Sequence, residues 1–214
     1  ILWQLIDPEF HGEVLEELNE EVRVGILKSM RPEKLAAVAE GMDVDDLAEV
    51  LRTLPDSILN EVLNSMDSQD RSRVETALSY EEDTAGGIMN TDTITLRPDV
   101  SVDVVFRYLR LKGELPDATD SFYVVNRDNK FIGAVSLAAI ITAKTEIIVS
   151  SLINDHVEAV QANMQEQAVA QLFERHDWVS APVVDEEGHL LGRITIDDVI
   201  DIIREDAEHS MMSM

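Results

Sequence analysis

The chain contains no cysteine, which excludes disulfide bonds and thiolate metal sites and fits a reducing compartment, the cytoplasm by default. Basic residues are also scarce, since 17 Lys and Arg face 43 Asp and Glu for a formal net charge of −26. Nucleic acids and anionic membranes are bound mainly by basic residues, so neither is an expected partner. An acidic excess of this size repels itself, and we expect divalent cations to favour the compact state.

Long hydrophobic runs are missing as well. No segment approaches the roughly 20 apolar residues that a membrane-spanning helix needs, so this stretch is not expected to cross a bilayer. The sequence begins at Ile1 without an initiator methionine and ends at Met214 without a capping turn. Both features predict that the sequence is part of a larger protein.

Catalytic signatures are the last absence. The sequence has no Ser/His/Asp or paired-acid catalytic motif and no Gly-rich phosphate-binding loop, so an enzyme is not expected. It also has no EF-hand loop, and its histidines lack the paired spacing of zinc sites.

The first 80 residues carry a strict repeat of 12. The repeat positions are Leu18, Met30, Met42, Leu54, Met66 and Leu78, each preceded four residues earlier by valine or isoleucine. Apolar residues four apart, followed by a polar break with Pro, Asp or Ser, predict helices of about two turns. Because such short helices are unstable alone, residues 1–80 are predicted to form an acidic all-α superhelix with a shared core.

A second repeat follows, in which residues 121–136 match residues 180–195 at a distance of 59. Each copy predicts a strand, a polar turn, a strand ending in Gly-x-hydrophobic-Ser/Thr, and a helix. Upstream, residues 93–109 and 157–173 each predict a short strand and an amphipathic helix, with Val105 and Val169 facing inward. Two copies should make one pseudo-symmetric domain.

This tandem resembles a pair of CBS motifs, which together form a Bateman module. The resemblance implies a first motif at residues 88–152 and a second at 153–206. CBS pairs often bind adenosine nucleotides, and the second repeat carries the associated pattern in Thr195 and Asp198, whereas the first has Ala139 in place of the acid. ATP is therefore an alternative ligand, although the same Thr-x-x-Asp pattern is equally typical of a helix cap.

The junction at residues 81–92 carries Glu-Glu-Asp-Thr-Ala-Gly-Gly-Ile-Met. A short-helix acidic domain, this junction and two CBS motifs, in that order, resemble the cytoplasmic region of MgtE magnesium channels. The resemblance implies an α plus α/β architecture, an all-α superhelix followed by a tandem CBS domain. It further implies a homodimer through the CBS domains, a place at the cytoplasmic face of the inner membrane, and residues 207–214 as the start of a linker to a plug helix and pore.

Carboxylates that could hold Mg²⁺ concentrate in two places. Asp45 and Glu49 stand four residues apart on one helix, and Asp197 and Asp201 begin an acidic stripe on the last helix. First-turn acids also complement a helix dipole, and a stripe also fits a solvated surface, so both interpretations stay open. Mg²⁺ sheds water reluctantly and commonly uses one or two carboxylates, which favours several weak sites.

The resemblance selects particular positions as Mg²⁺ ligands between the two domains. They are Glu13, Asp45, Glu49, Gly87, Glu187 and Asp197. Glu49 stands where the family more often has Asp. The resulting hypothesis is a regulatory region that closes the pore when Mg²⁺ bridges the N and CBS domains. The alternative is a nucleotide-sensing CBS module whose helical repeats are a scaffold for protein interaction.

Overall fold

The computed structural model describes residues 42–116 and 118–212, with side chains as far as residue 204, and thirteen earlier positions: 6, 14, 15, 18, 22, 25–27, 30, 31, 34, 35 and 38. The chain divides into two compact units, Ile1–Glu82 and Asp83–Met214. Among the described residues, no helix combines the length and the apolar character needed to cross a membrane.

Unit 1 contains three helices that are described throughout: α1 (Val44–Arg52), α2 (Asp56–Ser65) and α3 (Ser68–Leu78). They begin every 12 residues, as the repeat predicts. The polar breaks start them, since Pro55 precedes α2 and the Asp67 carboxylate accepts hydrogen bonds from the N–H groups of Gln69 (2.7 Å) and Asp70 (3.0 Å) at the start of α3.

The repeat positions form the core of unit 1. Val50, Val62 and Val74 are almost completely buried and belong to one cluster with Leu51 and Leu63. The methionines of the repeat pack in or against the same cluster, which confirms that they are packing residues. Burial of one face of each short helix therefore supplies the stability that the helices lack alone.

Unit 2 contains two three-stranded sheets. The first repeat comprises β1 (Thr95–Leu96), α4 (Val102–Lys112), β2 (Ser121–Val125), β3 (Phe131–Ser136), α5 (Leu137–Thr142) and a 3₁₀ turn (Val149–Ser151). The second comprises β4 (Val160–Gln161), α6 (Glu166–His176), β5 (Ser180–Val184), β6 (Leu190–Thr195) and α7 (Ile196–Met212). In each sheet the first strand runs parallel to the second, and the second and third form an antiparallel hairpin.

The two repeats agree in register as well as in order. Ser121 lies opposite Ser136 and Ser180 opposite Thr195, and both hairpins shift register after their fourth residue, at Val124 and Val183. The predicted inward-facing residues of α4 and α6, Val105 and Val169, are buried. The pseudo-symmetric CBS tandem predicted from the sequence is therefore confirmed.

Tyr123 joins the two repeats. Its ring packs in a cluster that includes Val125 of its own repeat and Val184 of the second. Its hydroxyl donates to Ser180 Oγ (2.8 Å), which in turn donates to an Asp120 carboxylate oxygen. Burial raises the pKa of Tyr123 to about 12, so the phenol stays a neutral donor. A buried hydroxyl satisfied across the repeats fixes how the two sheets meet.

The repeats also exchange backbone segments at two glycines. Asn90 and Arg193 of β6 hydrogen-bond in both directions (2.8 and 2.9 Å), and a Cβ on Gly192 would lie 2.6 Å from the Asn90 oxygen. In the first repeat, Ala134 and Asn154 bond in both directions (3.1 and 2.8 Å), and a Cβ on Gly133 would lie 2.7 Å from the Asn154 oxygen. The segment preceding each repeat thus pairs with the last strand of the other, which requires glycine there.

The equivalence of the 12-residue repeats can be tested in α2. Val62→Ala should lower the free energy of unfolding by about 2 kcal/mol, because it removes buried methyl groups and leaves a cavity. The neighbouring exposed Glu61→Ala should change it by less than about 0.5 kcal/mol. Urea unfolding followed by the helical circular dichroism signal measures both. Equal stability of the two variants would show that the 12-residue positions are not the core.

Candidate functional site

The turn between β5 and β6 brings three potential metal ligands together. Asp185, Glu187 and His189 each present one ligand atom, all within 4.8 Å of one another. The turn is closed by bonds from Asp185 N–H to the His189 carbonyl (3.1 Å) and from Gly188 N–H to the Asp185 carbonyl (3.0 Å). Gly188 has φ +85°, a left-handed conformation that favours glycine.

Asp185 and His189 interact directly in this turn. One Asp185 oxygen accepts the His189 backbone N–H (2.8 Å), and the other lies 2.8 Å from His189 Nδ1. Burial alone would raise the pKa of Asp185, but the hydrogen bonds from His189 outweigh it and lower that pKa below its ordinary value. The carboxylate is therefore anionic at neutral pH. Two carboxylates with an imidazole suit a divalent cation, and the imidazole suits transition metals better than Mg²⁺.

The first repeat has the same turn without these ligands. Asn126, Asp128 and Lys130 occupy the equivalent positions, and Asn126 Oδ1 accepts the N–H groups of Asp128 and Lys130 (both 2.9 Å). An amide oxygen thus closes the turn as well as a carboxylate does. The sequence analysis singled out Glu187 alone; the alternation Asp-x-Glu-x-His across a predicted turn was the available signal for the other two.

The predicted ligands of unit 1 lie on α1. Asp45 is in the first turn and Glu49 one turn further, so the two share a helix face, and both are half-buried. One carboxylate oxygen of Asp45 has essentially no solvent-accessible surface. Acids on a purely solvated face are ordinarily exposed, so this burial distinguishes the pair from a simple acidic surface. Glu13 lies outside the described residues.

Gly87 lies in a buried turn of the junction. Its N–H donates to the Thr84 carbonyl (2.8 Å), as does that of Ile88 (3.1 Å). The same segment is bonded to the second repeat, since Ala85 N–H donates to Met164 (2.7 Å) and Gly86 N–H to Ala162 (2.8 Å). Gly87 is therefore held in a defined position within unit 2.

Asp197 is exposed in the first turn of α7. One turn along the helix Asp201 is also exposed and pairs with Arg204 (3.1 Å). Asp197 and Glu187 belong to unit 2 together with Gly87, whereas Asp45 and Glu49 belong to unit 1. Within the units, the structure pairs Asp45 with Glu49 on one helix face and Glu187 with two ligands that were not predicted.

Thr195 and Asp198 of the nucleotide pattern contact each other. One Asp198 oxygen accepts from the Thr195 backbone N–H (2.9 Å) and from its hydroxyl (2.8 Å), which is the geometry of a helix cap at the start of α7. Thr195 is only 5% exposed. In the first repeat, Ser136 Oγ accepts from the Ala139 N–H (3.1 Å) in the corresponding role. A nucleotide would have to share both Thr195 and Asp198 with this cap.

Two family models match the chain. Residues 1–83 match the MgtE intracellular N domain, and residues 85–146 and 149–205 match the CBS domain. The magnesium transporter MgtE of Thermus thermophilus is 34% identical over 223 residues, covering 96% of this chain and 49% of that protein. That of Bacillus subtilis is 27% identical, covering 92% and 44%. The chain spans about half the length of the curated relatives it matches.

Solved structures agree with the fold. A crystal structure of the cytosolic domain of the Mg²⁺ channel MgtE in complex with ATP has a TM-score of 0.82 and 31% identity, covering 94% of this chain and 87% of that one. The soluble part of a magnesium transporter has a TM-score of 0.87 and 26% identity, covering 96% and 81%. A helical domain followed by a CBS tandem is common to all three.

The lowered pKa of Asp185 gives a pH-dependent stability. A depressed acid pKa stabilises the fold above the unfolded pKa, and this contribution is lost as the pH falls through the folded pKa. Asp185→Asn should therefore be less stable than the parent near neutral pH, with the difference vanishing below about pH 4. The first-repeat turn already contains asparagine, so the variant can close the same turn. Urea unfolding across this pH range measures the difference; one that is constant with pH contradicts the assignment.

Proposed function

Because the chain belongs to the MgtE family of magnesium transporters, we propose that it is the cytoplasmic Mg²⁺-sensing regulatory region, which closes the pore when Mg²⁺ bridges its two units. Its curated relatives are magnesium transporters and not enzymes. The observation that carries the proposal is the half-buried pair Asp45 and Glu49, an anionic site on one unit of a chain with net charge −26.

The physical basis of the sensing is charge. Without bound cations the acidic surfaces of the two units repel each other, which favours their separation. Mg²⁺ that binds more tightly to the closed arrangement than to the open one shifts the population towards it, and only such differential affinity can do so. Moving the population from mostly open to mostly closed takes about 5.5 kcal/mol, which requires several weak sites acting together.

The proposed ligands come from both units. Glu13, Asp45 and Glu49 are the ligands of unit 1, and Gly87, Glu187 and Asp197 those of unit 2. Mg²⁺ prefers oxygen and keeps several waters, so the Gly87 carbonyl and one or two carboxylates suffice for a site. At Glu187 the neighbouring His189 makes direct Mg²⁺ coordination less favourable, and we assign that site a water-mediated role.

The assembly in the proposal is a homodimer through the CBS domains, attached to the pore domain at the cytoplasmic face of the inner membrane. Large apolar side chains on the helices of unit 2 support a partner surface. Tyr108 and Leu111 of α4 are 43% and 87% exposed, and Ile200 and Ile203 of α7 are 49% and 50% exposed. Clusters of this kind are typical of protein–protein contacts.

A nucleotide-sensing CBS module is the second candidate function. A relative with 31% identity was crystallised with ATP, and the second repeat places Thr195 and Asp198 side by side at the start of α7. In this alternative the helical repeats of unit 1 serve as a scaffold for protein interaction, and Mg²⁺ is incidental.

Small-angle scattering tests the Mg²⁺ proposal. The radius of gyration should fall when millimolar MgCl₂ replaces a monovalent salt of equal ionic strength. Asp45→Ala with Asp197→Ala should raise the Mg²⁺ concentration at the midpoint at least about tenfold, because both are proposed ligands. Glu61→Ala with Glu174→Ala removes the same charge from exposed positions in the two units and should leave the midpoint near that of the parent. A radius that does not respond to Mg²⁺ overturns the proposal.

Titration calorimetry with ATP tests the alternative. Asp198→Ala should abolish ATP binding if that carboxylate contacts the nucleotide, and it should also cost about 1 kcal/mol of stability as a lost cap. Ser136→Ala removes the corresponding cap of the first repeat and should leave ATP binding intact. Equal binding by the parent and Asp198→Ala would exclude the second-repeat site.

A further inference from the structure

The junction segment, residues 83–90, is fastened to the second repeat at two places. At the start of α6, the Asp83 carbonyl accepts the Glu166 N–H (2.9 Å), and Ala85 donates to Met164 (2.7 Å). At β6, Asn90 and Arg193 exchange two backbone hydrogen bonds over the closely approaching Gly192. Its side chains are buried too, since Ala85 and Met89 have no exposed surface.

The elements that the junction segment fastens are the ones that position α7. Strand β6 ends at Thr195 and α7 begins at the next residue, Ile196. Helix α7 packs mainly against α6 and also against β6. The Ile196 N–H donates to Val179 at the entrance of β5 (2.9 Å), which fixes the start of α7 on the same repeat. The orientation of α7 therefore depends on the part of the fold that the junction segment closes.

The first repeat is closed in the same way by its own segment. Val102 N–H donates to Ile147 (2.9 Å) at the start of α4, and Asn154 pairs with Ala134 of β3. Met89-Asn90 and Ile153-Asn154 are equivalent pairs, 64 residues apart. In both, the asparagine Oδ1 accepts the N–H two residues on, at 2.7 Å from Asp92 and 3.1 Å from His156.

The two closing segments differ in where they come from. Residues 147–154 lead from the first repeat to the second, so they close the CBS tandem on itself. The junction segment instead follows α3 of unit 1, which ends at Leu78. The second repeat therefore depends for its completion on a segment that arrives from unit 1.

We propose that the junction segment is a latch that transmits the state of unit 1 to α7, with Gly192 as the positioning residue that lets the latch seat. The direction of the signal rests on the proposed function, because Mg²⁺ at Gly87 and unit 1 would act on the latch. The mechanical link between latch and α7 is independent of Mg²⁺. The first repeat, closed by its own segment, stays unchanged when the latch loosens.

Hydrogen exchange of the 214-residue chain tests the link without Mg²⁺. Gly192→Ala places a methyl group against the Asn90 backbone and should speed exchange of α7 amides at least about tenfold, while α5 and β3 change little. Gly133→Ala is the matched control: it causes the equivalent clash in the first repeat and should speed α5 and β3 instead. If Gly192→Ala does not fold, Met89→Ala, with Ile153→Ala as its control, loosens the same segment without a backbone clash. Unchanged α7 exchange in the Gly192 or Met89 variant, or equal effects of the matched controls, overturns the latch.

Addition of MgCl₂ then tests transmission. In the parent chain Mg²⁺ should slow α7 exchange, and Gly192→Ala should lose this response while it retains Mg²⁺-dependent compaction in scattering. Gly133→Ala should keep both responses, which a merely destabilising role for Gly192 would not explain. Compaction without any slowing of α7 in the parent overturns transmission. A parent with no compaction overturns the proposed Mg²⁺ function, and the Mg²⁺-free comparison alone then decides the latch.

Discussion

The close approach of two backbone segments at Gly133 and Gly192 is the constraint on which unit 2 depends. A Cβ at either position would come within 2.7 Å of a backbone oxygen, so the paired bonds at Asn154 and Asn90 could not form unchanged. These bonds make each repeat incomplete without the segment that precedes the other. The tandem is consequently one cooperative body, and the junction is part of its structure and not a free linker.

The acid excess acts on this body from outside. The carboxylates that are best placed for metal are held by other parts of the fold: Asp45 and Glu49 by one face of α1, and Asp185 by hydrogen bonds from His189. Fixed carboxylates lose less entropy on binding an ion than mobile ones do, but they remain repulsive until an ion arrives. A fold that positions its acids in this way responds to cation concentration by small changes in the balance between compact and separated states.

Periodicity predicted most of the architecture, because burial repeats at regular spacings. The 12-residue valines and the 59-residue hairpins gave helices, strands and the tandem with correct order. The latch was missed because its signal, Met89-Asn90 and Ile153-Asn154, is only two residues long and its contacts are between backbone atoms. Asp185 and His189 were missed for a different reason: a turn brings alternate residues together, which helix and strand periods do not describe.

The Gly-x-hydrophobic-Ser/Thr-x-x-Asp pattern shows how one set of residues satisfies two explanations. In the second repeat its glycine admits the Asn90 backbone, and its Thr195 and Asp198 cap α7. In the first repeat the pattern keeps the glycine and the serine cap although the acid is Ala139. The glycine and hydroxyl are therefore accounted for by folding alone, and only the acid at Asp198 carries information about a ligand. Any nucleotide that binds there competes with the cap of the helix that the junction segment positions, so ligand and latch would act on the same end of α7.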